Sequence, residues 1–340
     1  MTKKLTIHDL ADKLNLDAST VSRALNGSKR VKKETREKIL KLASDLGYSR
    51  NIVASNLRTG RGNTIGVVVP RIQRSFFSGV IDGIESTLNK EGYNLLICQS
   101  NEKLEKEIEN ISVLLDNRVD GIIISVSRET KKYDHLQAII DSNIPLIQFD
   151  RVISDLPSDY VVNDNWQGTY DAVQHLAEQG CSRIVHLAGP ISIGLYKERR
   201  RGYKDAIKHF GLEFDEDLIV RAITEKTGFE AITTLLGKGI GFDGIVSASD
   251  FSAIGAMKAL KLNKIDIPND VAVVGFANEP LTEIILPPLT SLDQFKVEMG
   301  IEAANLVLSQ LKNSSNQITV QKKISLKPKL IVRSSSQRIS

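Results

Sequence analysis

The sequence is poor in the features that define several protein classes. It has two cysteines, Cys98 and Cys181, far apart and without a CxxC or Cys/His cluster, so neither a disulfide framework nor a structural zinc is supported. Each thiol reads as a small buried hydrophobe. The longest apolar runs, such as Ile65 to Pro70 and Ile284 to Leu286, fall far short of the ~20 residues a membrane span requires. The start, Met1 to Asp9, carries two lysines and then an acidic residue where a secretory signal places its apolar stretch, which reads as cytoplasmic. There is no Walker A sequence, no HExxH, no GxSxG and no pair of histidines at ligand spacing. Gly60-Arg-Gly62 precedes a strand-like segment and Gly237 to Gly241 follows a helix-like one, so neither has the context of a dinucleotide-binding turn. No metal or cofactor is expected, and His175 and His186 read as structural or surface residues. An enzyme remains open at this point, because catalytic groups need not be sequence neighbours, but no constellation supports one.

What is present fits a soluble chain of two or three folded units: 340 residues, 41% hydrophobic and 25% charged. The charge is uneven. Residues 1–62 hold 14 Lys/Arg against 6 Asp/Glu, a net of +8, whereas the other 278 residues hold 31 against 35, a net of −4. A basic head on a mildly acidic body suits polyanion binding, although a solvated basic face would give the same count.

Pattern narrows this. Thr6 caps a short amphipathic helix carrying Ile7, Leu10, Ala11 and Leu14, with Asp9 at its third position. Asp17 can cap a second, Ala18 to Leu25, with Val21 and Leu25 inward and Ser19, Thr20, Ser22 and Arg23 outside, ended by Asn26-Gly27. A third runs from about Lys33 to Leu46, with Ile39, Leu40, Ala43 and Leu46 inward and Gly47 as its stop. Three short helices, the first two tightly joined, spell a helix-turn-helix unit. Small hydroxyl residues let the second helix enter a major groove and bond phosphates, Arg23 can fork to guanine, and the loop from Lys29 and Arg30 to Lys33 adds phosphate contacts. A helical cap on an enzyme would share the pattern of helices. Asn51 to Gly62 is too short for a core and ends in glycines, which alone reads as a tether.

From Thr64 the pattern alternates between apolar strands and amphipathic helices. Strands are expected at Thr64–Pro70, Tyr93–Ser100, Gly121–Ser125 and Pro145–Phe149, and again at Arg183–Ala188, Leu218–Ala222, Gly244–Ser247 and Val271–Phe276. Helices fall between them, and the tail adds a helix, Lys296–Leu311, with strand-like pieces near Thr319–Ser325 and Lys329–Arg333 that can cross back between halves. Such alternation calls for parallel sheets covered by helices, with a ligand cleft beyond the carboxyl ends of the strands.

Thr6-Ile-His-Asp-Leu-Ala11, Ser19-Thr-Val-Ser-Arg-Ala-Leu-Asn26 and Leu46-Gly-Tyr48 resemble the DNA-binding head of the lactose-repressor/galactose-repressor family of bacterial transcription regulators. Phe76-Phe77, Val119 to Ile122, Phe149-Asp-Arg151, Asp164 to Gly168, Gly189-Pro190, Arg199 to Gly202, Ser249-Asp250 and Val274-Gly-Phe276 resemble that family's effector domain, which is similar to periplasmic sugar-binding proteins. The resemblance covers nearly the whole chain. It implies an all-α helix-turn-helix head over residues 1–50, a hinge helix over 51–62 and an α/β body of two parallel-sheet subdomains over 63–340. The N-subdomain is expected at about 63–162 plus 293–323, and the C-subdomain at about 163–292 plus 324–340.

The resemblance also implies site residues. Ala18, Ser19 and Arg23 would face base edges, Thr6 and the hydroxyls of the second helix would hold phosphates, and Leu57 beside Ala54 would wedge into a minor groove. The full DNA-contacting set is expected to be Thr6, Asp17, Ala18, Ser19, Thr20, Ser22, Arg23, Asn26, Lys29, Arg30, Ala54, Leu57 and Arg58. The effector set is expected to be Phe76, Phe77, Asp150, Trp166, Arg199, Ile223, Ser249, Asp250 and Ala277, with Arg199 clamping hydroxyls or a carboxylate. Solvation of Arg199 within the run Lys197 to Arg201, and simple core packing of Phe76 and Phe77, are the competing readings. Arg50, Ser249 and Ala277 depart from the family pattern, where Pro, Asn and an effector-binding Asp are common. The expected function is a repressor that binds a palindromic operator in double-stranded DNA as a homodimer, controlled by a sugar or related metabolite. Control by a corepressor or partner protein is the alternative within the class; a solute-binding protein and a sugar-acting enzyme lie outside it.

Overall fold

The computed structural model describes residues 5–25, 27–28, 30–48, 62–312 and 321–338. The chain divides into two units, 1–62 and 63–340.

In the first unit, helices α1 (Ile7–Leu14), α2 (Ala18–Leu25) and α3 (Lys33–Asp45) follow the apolar stripes. The Thr6 hydroxyl accepts from the Asp9 amide, and the Asp9 carboxylate accepts from the Thr6 amide at 2.7 Å, a complete capping box. Asn15 at φ 52° turns the chain into α2, and Gly27 at φ 68° takes a left-handed turn beyond it. Leu10, Val21 and Ile39, one from each helix, are fully buried together. Two expectations fail here. Ser22 is only 8% exposed, because it shares the inward side of α2 with Val21. Leu40 is 47% exposed and Leu46 is also exposed, since Ile39 and Ala43 already fill the face that α3 presents to the core.

The second unit contains two six-stranded sheets. The first has strands β1 (Thr64–Val69), β2 (Asn94–Gln99), β3 (Gly121–Ile124), β4 (Leu146–Phe149), β5 (Asp159–Asn163) and β11 (Lys323–Leu326), in the order β11-β5-β4-β3-β1-β2, all parallel. Helices α4 (Ser75–Lys90) and α12 (Lys296–Lys312) cover one face, while α5 (Leu104–Asp116) and α6 (Asp134–Asp141) cover the other. The second sheet has β6 (Ile184–Ala188), β7 (Ile219–Arg221), β8 (Gly244–Ser247), β9 (Ala272–Phe276), β10 (Thr290–Asp293) and β12 (Lys329–Ile331), in the order β12-β10-β9-β8-β6-β7. Helices α9 (Glu225–Gly237) and α10 (Asp250–Leu262) pack on one side and α7 (Asn165–Glu178) and α8 (Gly194–His209) on the other, and the short α11 (Leu281–Ile284) follows β9. Burial on both faces is why segments such as Thr64-Ile-Gly-Val-Val-Val69 and Gly121-Ile-Ile-Ile124 read as continuous apolar runs.

The sheets differ from the expectation in three respects. β5 and β10 were not foreseen: Asp159-Tyr-Val-Val-Asn163 and Thr290-Ser-Leu-Asp293 are short and half polar, and pairing rather than hydrophobic pattern makes them strands. β12 runs antiparallel to β10, so the second sheet is not purely parallel. β11 belongs to the first sheet as far as Leu326, beyond the crossing expected between residues 323 and 324.

The chain therefore passes between the sheets after β5, after β10 and between β11 and β12. At these crossings Asn163 Nδ2 donates to the Gln294 carbonyl at 2.9 Å, Gln294 Nε2 donates to Asn163 Oδ1 at 3.1 Å, and the Asp164 amide donates to the Leu326 carbonyl at 2.8 Å. α12 is held against α4 by close backbone approach: a Cβ on Gly83 would lie 2.1 Å from the Val297 carbonyl, and one on Gly300 would lie 2.1 Å from that of Val80. Phe77, Val80, Ile84 and Leu88 of α4 are core residues. The thiols are free, with Cys181 buried and Cys98 half-buried. No helix among the described residues is long and apolar enough to cross a membrane.

Candidate functional site

Two places bring the expected residues together. On α2, Ser19 and Arg23 are exposed one turn apart, and Arg23 Nη2 donates to Ser19 Oγ at 3.2 Å, so hydroxyl and guanidinium share one face. Ala18 and Thr20 are half-buried beside them, and Arg30 is exposed. Asp17 supports the helix start through its carbonyl, which accepts from the amides of Thr20 and Val21. Thr6 is exposed, but its hydroxyl is engaged with Asp9. Asn26, Lys29, Ala54, Leu57 and Arg58 lie outside the described residues.

The second place is a cavity of about 430 Å³ in the body, within the ~300–1,000 Å³ usual for small-ligand sites. The lining gathers at or beyond the carboxyl ends of the strands. The first sheet contributes Arg71, Arg74, Phe76 and Phe77 after β1, Glu102 after β2, Arg128 after β3, and Asp150 with Arg151 after β4. The second contributes Tyr196 and Arg199 from α8, Ile223 and Thr224 after β7, Ser249 and Phe251 after β8, and Ala277 with Glu279 after β9. Gln294, at a crossing, lies between them in sequence and lines the same space.

Arg199 is the most constrained of these groups. It is 4% exposed, its Nε donates to Asn165 Oδ1 at 2.8 Å, and its Nη1 donates to the Ala248 carbonyl at 2.7 Å. Its guanidinium lies 3.4 Å from the centre of the Phe276 ring. Burial pushes its pKa down to about 10. The solvated-run reading therefore fails for Arg199, whereas its neighbours Arg200 and Arg201 do pair at the surface, with Glu216 and Glu198.

Phe76 and Phe77 satisfy both readings, because they pack edge to face at 5.2 Å within the core and still line the cavity. Asp150 is buried at φ 58°, and burial raises its carboxyl above the ordinary range. Burial also works to raise Glu102, but the charge and hydrogen bond of Arg151 at 2.7 Å, aided by Arg128, hold it low. Ile223, Ser249 and Ala277 all line the cavity, Ala277 at φ 122°.

Two expected effector residues are placed elsewhere. Trp166 does not line the cavity; its indole N–H donates to Asp205 Oδ2 at 2.7 Å and its ring stacks near Tyr170. Asp250 is fully buried behind the wall, where its carboxylate accepts from the Glu279 amide at 2.8 Å and Ser291 Oγ at 2.6 Å, so it shapes the lining without forming it. Arg71, Arg74, Glu102, Arg128, Tyr196 and Phe251 were missed. The signal existed, since each lies just beyond a strand end or in the first turn of the helix that follows. His175 Nε2 meets Ser336 Oγ at 2.8 Å and His186 Nδ1 meets the Val246 carbonyl at 3.0 Å, as structural histidines do.

Comparison with known proteins agrees with this geometry. A family described as periplasmic binding proteins and sugar binding domain of LacI family matches residues 62–328, and one described as bacterial regulatory proteins, lacI family, matches residues 6–51. The chain belongs to the LacI family. It is a DNA-binding transcription regulator and not an enzyme. Its relatives include the HTH-type transcriptional regulator RegA of Clostridium saccharobutylicum, 33% identical over 90% of this chain and 92% of that one. Another is the HTH-type transcriptional regulator DegA of Bacillus subtilis, 31% identical over 99% of each. The HTH-type transcriptional repressor PurR of Actinobacillus pleuropneumoniae is 29% identical over 98% of this chain and 99% of its own. Among solved structures, the Lac repressor dimer bound to operator and the anti-inducer ONPF superposes with a TM-score of 0.88 at 24% identity, covering 99% of this chain and all of that one, which shows the shared fold. The complex of the transcriptional regulator CelR with cellobiose has a TM-score of 0.74 at 27% identity, covering 97% and 99%.

Proposed function

We propose that this LacI-family regulator is a repressor that binds a palindromic operator as a homodimer and is controlled by a sugar or related metabolite in the body cavity. The observation that carries the reading is the cavity itself, lined from both sheets at the carboxyl ends of their strands and closed by buried Arg199. A ligand touching both sheets favours one mutual arrangement of the two halves and so biases a two-state equilibrium. The hinge assigned to residues 51–62 would read that bias: too short to be a stable helix alone, it would fold only on DNA and in a dimer, driving Leu57 into the minor groove. The repressor sign follows the named relatives PurR and Lac repressor, and the sugar class follows the CelR complex. Homodimerisation is supported by the outer side of α4 and β2, where Ile81, Tyr93, Leu95 and the exposed Ile97 surround a depression left by the core.

The test is retention of genomic DNA fragments by the full-length protein at moderate salt, sequenced with and without a panel of sugars, sugar acids and nucleobases. A palindromic motif released by one compound is the expected result. Weak, salt-sensitive retention with no enriched motif overturns the operator reading, and a motif strengthened by the compound reverses the sign of control.

A further inference from the structure

We propose that the cavity takes an anionic polyol, a sugar carrying a phosphate or carboxylate group. The inference rests on the reading of this cavity as the effector site and narrows its ligand. Five guanidiniums line the space, from Arg71, Arg74, Arg128, Arg151 and Arg199, against three carboxylates, from Glu102, Asp150 and Glu279. One of the carboxylates is shared between two of the cations. Glu102 Oε2 accepts from Arg151 Nη1 at 2.7 Å and lies 3.6 Å from Arg128 Nε. Arg71 has no ion-pair or hydrogen-bond partner among the described residues, and Arg74 spends its face on the Phe251 ring, 4.2 Å from its centre. Arg199 is held by a side-chain amide oxygen and a carbonyl, both neutral, with no carboxylate within ion-pair distance among the described residues.

Two buried groups point to what completes the site. Arg151 Nε is buried without a hydrogen-bond partner among the described residues, a donor that an acceptor entering the cavity would satisfy. Asp150, 4.0 Å from that nitrogen, accepts no hydrogen bond from it and is free to take one from a hydroxyl. A neutral sugar would satisfy Asp150 and leave the surplus cations unanswered. A phosphate or carboxylate answers them through charge-assisted, bidentate hydrogen bonds, while Phe76 and Phe77 supply apolar lining beside the carbon skeleton. The absence of a carboxylate at Ala277, which lines the same space, is consistent with a ligand that is itself negative.

The test uses the full-length protein in three arms. Inorganic phosphate at millimolar concentration should raise the melting temperature relative to chloride at equal ionic strength. Calorimetric titration should then show glucose 6-phosphate or gluconate, or ribose 5-phosphate, binding at least about tenfold tighter than glucose or ribose. Preference for the phosphate or the carboxylate compound identifies the anion. Arg71→Gln and Arg128→Gln, which remove partly exposed side chains, should each cut that preference about tenfold, whereas Lys226→Gln on α9, a side chain 84% exposed and outside the lining, should not. No melting shift with phosphate, or neutral sugars binding as tightly as their anionic partners, overturns the proposal. DNA retention separates the two readings: an anionic compound that binds without changing retention defeats the effector reading alone, and a neutral sugar that alone releases DNA defeats the anionic one alone.

Discussion

The side-chain amides of Asn163 and Gln294 hold each other at the point where the chain crosses between the two sheets, Gln294 Nε2 donating to Asn163 Oδ1 at 3.1 Å and Asn163 Nδ2 donating to the Gln294 carbonyl at 2.9 Å. Both residues are buried, and Gln294 also lines the cavity. In the proposed function, a ligand contacting Gln294 would touch a residue fixed to the crossings, which would give binding a direct mechanical route to a relative motion of the halves.

Asn163→Ala leaves the Gln294 amide buried without its partner, which costs roughly 1–3 kcal/mol of stability. Because the loss falls where the sheets connect, the variant should also bind ligand with altered affinity while α2 keeps its DNA affinity. Denaturant unfolding and ligand titration check this together; unchanged ligand affinity in a destabilised variant would reduce the pair to ordinary core hydrogen bonds.

Arg199 combines a position in the cavity lining with a folding cost. Its pKa, lowered from the ordinary 12.5 to about 10 by burial, amounts to roughly 3 kcal/mol unfavourable at neutral pH. Arg199→Met removes that cost together with the bonds to Asn165 and Ala248, so stability should change by no more than about 2 kcal/mol in either direction. Ligand response should disappear. A fall above about 4 kcal/mol, measured by denaturant, would make Arg199 a structural residue first.

Two buried groups in the second sheet's surroundings pull stability in opposite directions with pH. His186 Nε2 has no partner among the described residues, the ring stacks on Tyr203, and burial lowers its pKa to about 4. Its neutral form is bound in the fold, so its contribution is present above the ordinary 6.5 and is lost as pH falls toward 4. Asp250 is raised by burial from 3.8 to about 6, so its contribution is present below 3.8 and lost as pH rises through 6. Each amounts to roughly 3 kcal/mol, and between pH 4 and 6 they largely offset. His186→Phe should therefore unmask a protein whose melting temperature rises as pH falls from 6 to 4, and Asp250→Asn one whose melting temperature falls over the same range. Profiles identical to the parent in either variant would refute the assignment.

Much of this was legible in the sequence. Apolar periodicity located the three helices of the head and eight of the strands, because those residues are buried on one helical face or on both faces of a sheet. Strands β5 and β10 escaped because Asp159, Asn163, Thr290 and Asp293 are polar groups spent on crossings and tail contacts that only the tertiary structure assembles. Arg199 was found through a motif; Arg71, Arg74 and Arg128, which carry the charge argument, have no motif and acquire meaning only when four loops meet around one cavity. Trp166 and Asp250 show the reverse, since both neighbour the cavity in sequence while their side chains meet partners outside its lining.

Ala277 carries φ 122°, a region that favours glycine. Ala277→Gly should stabilise the protein by about 1 kcal/mol through strain relief, and Ala277→Asp should destabilise it while placing a negative charge in the cavity. If the ligand is anionic, the Asp variant also binds it more weakly than the parent by at least about tenfold. Equal or tighter binding of an anionic sugar to Ala277→Asp would contradict the charge argument, and no stabilisation of Ala277→Gly would contradict the strain argument.

The head offers the sharpest separation of roles. Arg23 is exposed on α2 beside Ser19, in position to reach a base edge, whereas Leu57 is assigned to wedge between base steps. Arg23→Ala should cost roughly 1–3 kcal/mol on the specific site, relax selection at one base pair in each half-site and lower the salt dependence only slightly. Leu57→Ala should leave base selection by α2 intact, weaken specific binding far more than non-specific binding, and abolish the sharp bend in the DNA, since no side chain remains to hold an unstacked step open. Titrations on operator and random DNA at two salt concentrations, with a bending assay, distinguish them. Equal losses on both DNAs for Leu57→Ala would show that the hinge contributes charge and backbone contact alone, and ligand control would then have to reach the DNA by way of the spacing between two recognition helices rather than through hinge folding.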